Sequence, residues 1–527
     1  MKPWYWLGFA LVAALVCATP RTRPLLFNTL LFAGGSAILS LPLGLWITRQ
    51  LYRTTMPGRV VLRGLVVLIL LVPPYLHLTG WEAGFGLQGW FCRWMFPRQP
   101  VAILAGWRGA IALQVLVNLP WIILLLGTAL KTVPPELELQ ASLSATPSDV
   151  FRHVTWPLIR PSLVAAALWV FVLAAGDITI TDMYQVRTFA EEVYTGFAMG
   201  DRLQEASARN LSALWLIGGA MLASLMATQQ VVRNLQVASL RREDTNLTPS
   251  SRWATFAVYG LFVGWVALPI GSLCFQAGLD VAMVGSERER FWSVAKCVRL
   301  IVISPYAFRH ELAWSFVLGQ LCALTVVIAS LTAAWFGRTR RTVRGIAWAV
   351  AVVSLGVPAP VLALAVAAII NQPGIPGFIY LYDRTIFVPW LVLSLRLFPF
   401  SLLLSEVLMG RISPRPWEIV RLSGAGPWTC FRHGIWPQLS IPLGALWLLI
   451  LALALGDLSA TILAVPPGIT TVSIRIFNLV HYGVADQLAG LCLSTLAVFL
   501  LLVASLRVLL GTAPHFSASD MVPQDSD

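Results

Sequence analysis

The chain has 527 residues, of which 57% are hydrophobic and 12% charged, against about 25% charged in soluble proteins. With a mean hydropathy of +0.76, this excludes a water-soluble enzyme, a disordered scaffold and a disulfide-stapled secreted domain. It leaves an all-α polytopic membrane protein, because an open strand cannot satisfy its backbone in lipid.

A span needs roughly 20 apolar residues. The first apolar segment, at about 4–19, follows Lys2 and ends near Ala18. It reads as an N-terminal membrane helix within 1–24, with the charge and small-residue pattern of a signal segment. Segments at about 26–47, 60–79, 109–130, 160–177 and 211–231 complete a first set of six, so that 25–232 forms one domain. A polar linker follows over 233–253, containing Arg241-Arg242-Glu243-Asp244-Thr245-Asn246. The second set falls at about 254–276, 312–335, 345–370, 387–409, 438–456 and 487–510. It divides into an extra helix with an external loop (254–310), a second domain (311–511) and a tail (512–527). The expectation is about 12 transmembrane helices, six plus six.

Sidedness follows from the arginines. Arg49, Arg53, Arg59 and Arg63, then Arg233, Arg241, Arg242 and Arg252, then Arg338, Arg340, Arg341 and Arg344 flank three connections on one side of a twelve-span arrangement. That side is cytoplasmic, together with the linker, the tail and both chain ends. The net charge of +13 is explained by this bias and not by nucleic-acid binding. The seven cysteines show no CxxC spacing; Cys17, Cys322 and Cys492 lie in apolar runs and read as small hydrophobes.

The strongest signal is self-similarity. A shift of 280 residues lays 138–177 on 418–457 without a gap. Phe151-Arg152-His153 meets Phe431-Arg432-His433, Trp156-Pro157 meets Trp436-Pro437, and Gly176-Asp177 meets Gly456-Asp457. Upstream, Val72-Pro73-Pro74 resembles Val357-Pro358-Ala359-Pro360, and Leu119-Pro120-Trp121 resembles Phe398-Pro399-Phe400. The halves are two parallel six-helix repeats, a transporter architecture. The repeated loop joins the fourth and fifth spans of each half. It reads as a helix, a turn of small residues, and a second short helix that ends at Trp-Pro before the next span begins.

Glu, six residues to Gly, then thirteen to Pro resembles the EAA loop of type I ATP-binding-cassette (ABC) importer permeases. Glu138, Ser144 and Pro157 occupy these positions in the first copy, and Glu418, Gly424 and Pro437 in the second. Leu139-Gln140 and Ile419-Val420 replace the motif's alanines, and Ser144 replaces its glycine. Two such domains in one chain resemble the ferric-iron and thiamine import permeases. Leu455–Thr461, Pro466-Pro467-Gly468 and Ser473–Asn478 are most similar to the iron branch, which usually has Glu where Asp457 stands. The resemblance implies the type I importer permease fold in a bacterial inner membrane and no catalytic residues. It implies partnership with two copies of a nucleotide-binding ATPase subunit and an external solute-binding protein that delivers the substrate, with ferric iron the expected cargo. The six loop residues named would couple to the ATPases.

Phosphate-binding loops end in Gly-Lys-Ser/Thr, and Lys2, Lys131 and Lys296 follow Met, Leu and Ala. ATP would therefore bind a partner, leaving this chain without a cofactor, metal or enzymatic activity of its own. Ionisable groups within spans default to functional hypotheses. Asp177 and Asp457, at the outer ends of their spans, are candidates for an outer gate or mouth together with Arg475. Arg396, three residues before Pro399, is expected to face a bundle interior, and His77 and Asn118 to make helix-to-helix contacts. Pro73, Pro74, Pro358 and Pro360 break helices mid-span, where freed carbonyls can line a path or simply kink the helix. The competing reading is a secondary transporter of the major facilitator type, to which the basic runs at 49–63 and 338–344 are similar; it gives no reason for the repeated loop. A membrane-embedded enzyme would need clustered carboxylates or histidines.

Overall fold

The computed structural model describes residues 20, 22–96, 98, 101–199, 211–240, 248–284, 287–371, 376–412, 422, 424 and 426–511. The segment expected at 4–19, Glu418 and the 512–527 tail lie outside these.

The first half contains α1 (Thr22–Arg53), α2 (Arg59–Leu71), α3 (Pro74–Phe85), α4 (Gly106–Thr132), α5 (Pro135–Ser142), α6 (Pro147–Gly176), α7 (Thr179–Met183), α8 (Phe189–Ala198) and α9 (Leu211–Leu240). α10 (Arg252–Gly278), an antiparallel hairpin of β1 (Leu279–Val284) and β2 (Glu287–Trp292), and α11 (Val294–Ala307) follow. The second half contains α12 (Arg309–Gly337), α13 (Arg341–Gly356), α14 (Ala359–Ile370), α15 (Phe387–Arg411), α16 (Trp436–Leu455), α17 (Val472–Tyr482) and α18 (Ala485–Gly511).

Among the described residues, eight helices are long and apolar enough to cross a membrane, or ten if each of two bent pairs is one span. The expected twelve is not confirmed, since the segment expected at 4–19 lies outside the described residues. The sixth expected segment lies in α9, a helix that runs on to Leu240 and so occupies the start of the expected linker. The far end of that linker straps back onto α1: the Thr55 N–H donates to the Thr248 carbonyl, and the Thr248 N–H to the Arg53 carbonyl.

The bent pairs are α2 with the stretch Pro74–Met95 that α3 begins, at 97°, and α13 with α14, at 115°. Proline causes both. It disfavours the helical conformation of the residue before it and has no N–H for the ladder. Val72 and Val357 are accordingly extended, and Pro74 starts α3 where its missing N–H costs nothing.

α1 packs along α4, and α12 along α15. The halves meet where α9 contacts α13 and α15, and where α8 contacts α14. Trp121 of α4, Trp169 of α6 and Phe400 of α15 form an aromatic trio across this junction, with ring centroids 5.6–5.7 Å apart. Trp121 and Phe400 are the residues that the repeat alignment superposes.

Candidate coupling loops and the cavity between the halves

The first repeated loop starts where α4 stops at Thr132. Pro135 opens α5, which buries none of its residues. The Ser144 and Ala145 N–H groups both donate to the Ala141 carbonyl. The Thr146 hydroxyl then caps the next helix by accepting from the Asp149 N–H. Contrary to expectation, this next piece does not end at Trp156-Pro157. It runs without a break into the span as α6. Pro157 cannot donate an N–H, and the ladder accommodates it with a π-turn over Phe151–Thr155, in which the Trp156 N–H reaches back to the Phe151 carbonyl. The second copy repeats this: a π-turn spans Phe431–Ile435, and the Trp436 N–H donates to the Phe431 carbonyl ahead of Pro437.

Glu138 faces inward. Its Oε1 accepts from the Thr155 hydroxyl at 2.7 Å, and its Oε2 pairs with the Arg53 Nη1 at 2.9 Å. One carboxylate thus ties α5 to the end of α1 and to the π-turn. Beside it lies a groove of about 330 Å³ lined by Arg49, Glu138, Ser142, Phe151 and Thr248. Ser144 is exposed with an ordinary backbone, whereas Gly424 is exposed with φ +75°. Pro157 and Pro437 are exposed. Both loops present apolar side chains to solvent: Leu143 is 84% exposed, Leu422 87% and Trp428 72%.

A cavity of about 160 Å³ lies at the opposite ends of α6 and α16. α6 has 30 residues, so at 1.5 Å per residue its two ends are about 45 Å apart. Asp177 and Asp457 line this cavity together with Arg396. Asp177 Oδ1 accepts from the Thr179 hydroxyl at 2.8 Å and, across the halves, from the Ser459 hydroxyl at 2.6 Å. Asp457 Oδ1 accepts from the Ala460 N–H at 2.8 Å. Arg396 is 8% exposed, lies in the field of both carboxylates, and its Nη1 has no hydrogen-bond partner among the described residues.

The structure regroups the expected gate residues. Arg475 does not join the aspartates; it lies on the face of α17 turned to α12, 3.7 Å from Glu311 and 5.3 Å over the Phe308 ring. Pro73 and Pro74 line the cavity, while Pro358 packs against Gly176 and Pro360 is buried in α14. The Asn118 amide reaches the Ser36 hydroxyl, and the Gln114 amide reaches Asn118 Oδ1 at 3.1 Å, leaving Gln114 Oε1 without a partner among the described residues. Ser459 and Gln114 are site residues that the sequence reading missed. A signal for Ser459 was present: a hydroxyl stands two residues after each aspartate, as Thr179 and Ser459.

The halves also meet through His481 of α17 and Asp182 of α7, 3.1 Å apart. The hydrogen bond to Asp182 holds the imidazole above its ordinary value. Such a group adds stability that is complete below the unfolded histidine value of about 6.5 and is lost as pH rises through the raised value. Burial pushes the neighbouring Glu191 carboxyl up to about 7, which acts in the same direction. The thermal midpoint of the purified chain is therefore expected to fall as pH rises from about 6.5. His481→Gln should shrink that fall; an identical pH profile in the variant would contradict it.

No protein-family model matches the chain. Curated relatives match parts of it. The thiamine transport system permease protein of Salmonella typhimurium is 33% identical over 141 residues, 26% of this chain and 26% of that protein. The molybdenum transport system permease protein of Escherichia coli is 26% identical over 171 residues, 30% of this chain and 73% of that protein. The ferric transport system permease protein of Actinobacillus pleuropneumoniae is 28% identical over 191 residues, 34% of this chain and 27% of that protein. The chain thus matches about a quarter of the length of the thiamine and ferric relatives. With its fold, these likenesses make it a multi-pass helical protein of the inner membrane whose homologues are importer permeases. Its resemblance to fused ABC importer permeases, most like the thiamine and ferric ones, is upheld.

Proposed function

We propose that the chain is the membrane-spanning permease subunit of an ATP-driven importer, built as two permease domains over 25–232 and 311–511. It receives substrate from an external solute-binding protein and docks two copies of an ATPase subunit, one at each repeated loop. The observation that carries this reading is the pair of matching loop ends. Each runs into its span through a π-turn, and each exposes large apolar side chains where a soluble partner can cover them. A major facilitator arrangement gives these loops no role. The Leu455–Asn478 stretch supports ferric iron as cargo, although the relatives include thiamine and molybdenum permeases as well.

ATP would be held entirely by the partner, so the purified chain is expected to show no ATPase activity alone and to gain it with the ATPase subunit. Hydrolysis by the isolated, contaminant-free chain would refute this. Sidedness is tested separately. With single cysteines at Thr146 and Gly426, an impermeant thiol reagent added to intact cells should leave both unmodified. Labelling from outside would reverse the proposed cytoplasmic placement of the loops.

A further inference from the structure

We propose that Cys274 and Cys297 form a disulfide bond on the outer side of the membrane, stapling the extra helix α10 to α11. This rests on the sidedness proposed above, which puts the end of α10 and its hairpin outside. It adds a covalent link that the permease reading does not itself require.

The hairpin brings the two thiols together. β1 and β2 pair from Leu279 opposite Trp292 to Val284 opposite Glu287. At the neck, the Ser293 N–H donates to the Gly278 carbonyl at 2.8 Å. Trp292 fixes the neck further. A Cβ on Gly278 would run into its ring, and its Nε1–H donates to the Cys274 carbonyl at 3.4 Å. Cys274 stands four residues before Gly278, and Cys297 four residues after Ser293. Residues four apart share a helix face, so each cysteine lies one turn from the neck, on the face that its neck residue presents. The two thiols end within hydrogen-bonding reach of each other. Cys297 shares one core cluster with Leu273 and Ala277, and Cys274 packs against that cluster.

The surroundings suit the bond. Lys296, next to Cys297, pairs with Asp280 at 3.5 Å and with Asp486 at 3.4 Å. Charged groups are costly in hydrocarbon, so this level of the chain lies at the water interface. Beyond the outer face of an inner membrane the medium is oxidising, and paired thiols there persist as disulfides.

The chemistry is thiol–disulfide exchange with an external protein disulfide as oxidant. Cys274 is partly exposed and Cys297 buried, so Cys274 reacts first. Its thiolate attacks one sulfur of the external disulfide, whose S–S bond breaks and releases one thiol. The Cys297 thiolate then attacks the Cys274 sulfur and expels the second thiol. The pair loses two protons and two electrons, and the external disulfide is reduced to two thiols. The product braces an outer corner of the bundle. α10 packs on α3 of the first half and on α18 of the second, and α11 packs on α18. The cross-link also removes freedom from the unfolded chain.

The test uses the full chain, with free thiols capped by N-ethylmaleimide in denaturant as the cells are harvested. Seven thiols are expected after reduction and two fewer without it. Peptide mass spectrometry should find the Cys274 and Cys297 peptides joined and lighter by two hydrogens. Cys274→Ser should free Cys297 to take the cap. Reductant should lower the thermal midpoint of the unsubstituted chain by several degrees and leave that of Cys274→Ser unchanged. If Cys274→Ser does not accumulate, peptide mapping of the unsubstituted chain decides. Both thiols capped in the unreduced, unsubstituted chain would overturn the proposal, and so would a bond from either one to a different cysteine. Sidedness is read separately from Arg290→Cys, at an exposed hairpin position, in a chain whose own cysteines are alanine. The reagent is one that does not cross the inner membrane. Capped thiols with position 290 labelled from outside would mean that the disulfide alone fails. Capped thiols with position 290 unlabelled would mean that the outward placement fails and takes the disulfide with it.

Discussion

Gly424→Val is expected to abolish substrate uptake and ATPase co-purification while the protein still inserts and remains monodisperse. At φ +75° the glycine holds a left-handed turn, which costs a residue with a Cβ about 1–2 kcal/mol and a β-branched one more. No atom of the described residues lies within 4 Å of a Cβ built there, so the penalty argued here is the one that comes from the backbone. The turn is expected to escape this cost by changing shape, which would misplace Leu422 and Trp428. Ser144 has no such backbone, so Ser144→Ala should be nearly silent. Uptake of labelled substrate and pull-down of the ATPase subunit check both variants. Normal values for Gly424→Val would mean that this turn does not couple.

Glu138→Ala is expected to destabilise the isolated chain, with no partner present, by about 1–3 kcal/mol. Its carboxylate is largely enclosed, and the change removes both the ion pair to Arg53 and the bond from Thr155. Glu138→Gln keeps an acceptor for Thr155 and should fall between Glu138→Ala and the unsubstituted protein. Thermal melts of the purified chain measure this directly. If Glu138 instead serves by touching the ATPase, the melts will not move and only co-purification will be lost.

The fold was legible where composition and proline spacing dictate it. The segments expected at 60–79 and 345–370 each form a helix broken at a Val-Pro, because proline's missing N–H acts locally and needs no tertiary information. The π-turns and the continuity of α6 were less legible. Trp156-Pro157 reads equally as a stop or as a bulge, and only the surrounding packing decides. Glu138 could have contacted a partner or capped its helix; its bond to Arg53 joins residues distant in sequence and is invisible to local patterns. The cavity shows the same limit. Asp177 and Asp457 stood out as charges at span ends, but their convergence on Arg396 requires the two halves to be docked. The β1–β2 hairpin was missed because an all-helical expectation left no place for it.

Each π-turn holds one residue more than a regular helical turn would. The wider turn absorbs that surplus, so the stretch before it and the span after it keep nearly the phase of one regular helix. Removing one residue from Phe151–Thr155 would let the ladder close as a regular helix and, because five residues of π-turn sweep about the angle that four of α-helix do, would leave Leu143 near its present direction. Because Phe431–Ile435 carries the same surplus, the two loops are indexed alike to their spans. A one-residue deletion in the regular helix beyond either π-turn would instead turn that loop by about 100°, out of step with the other.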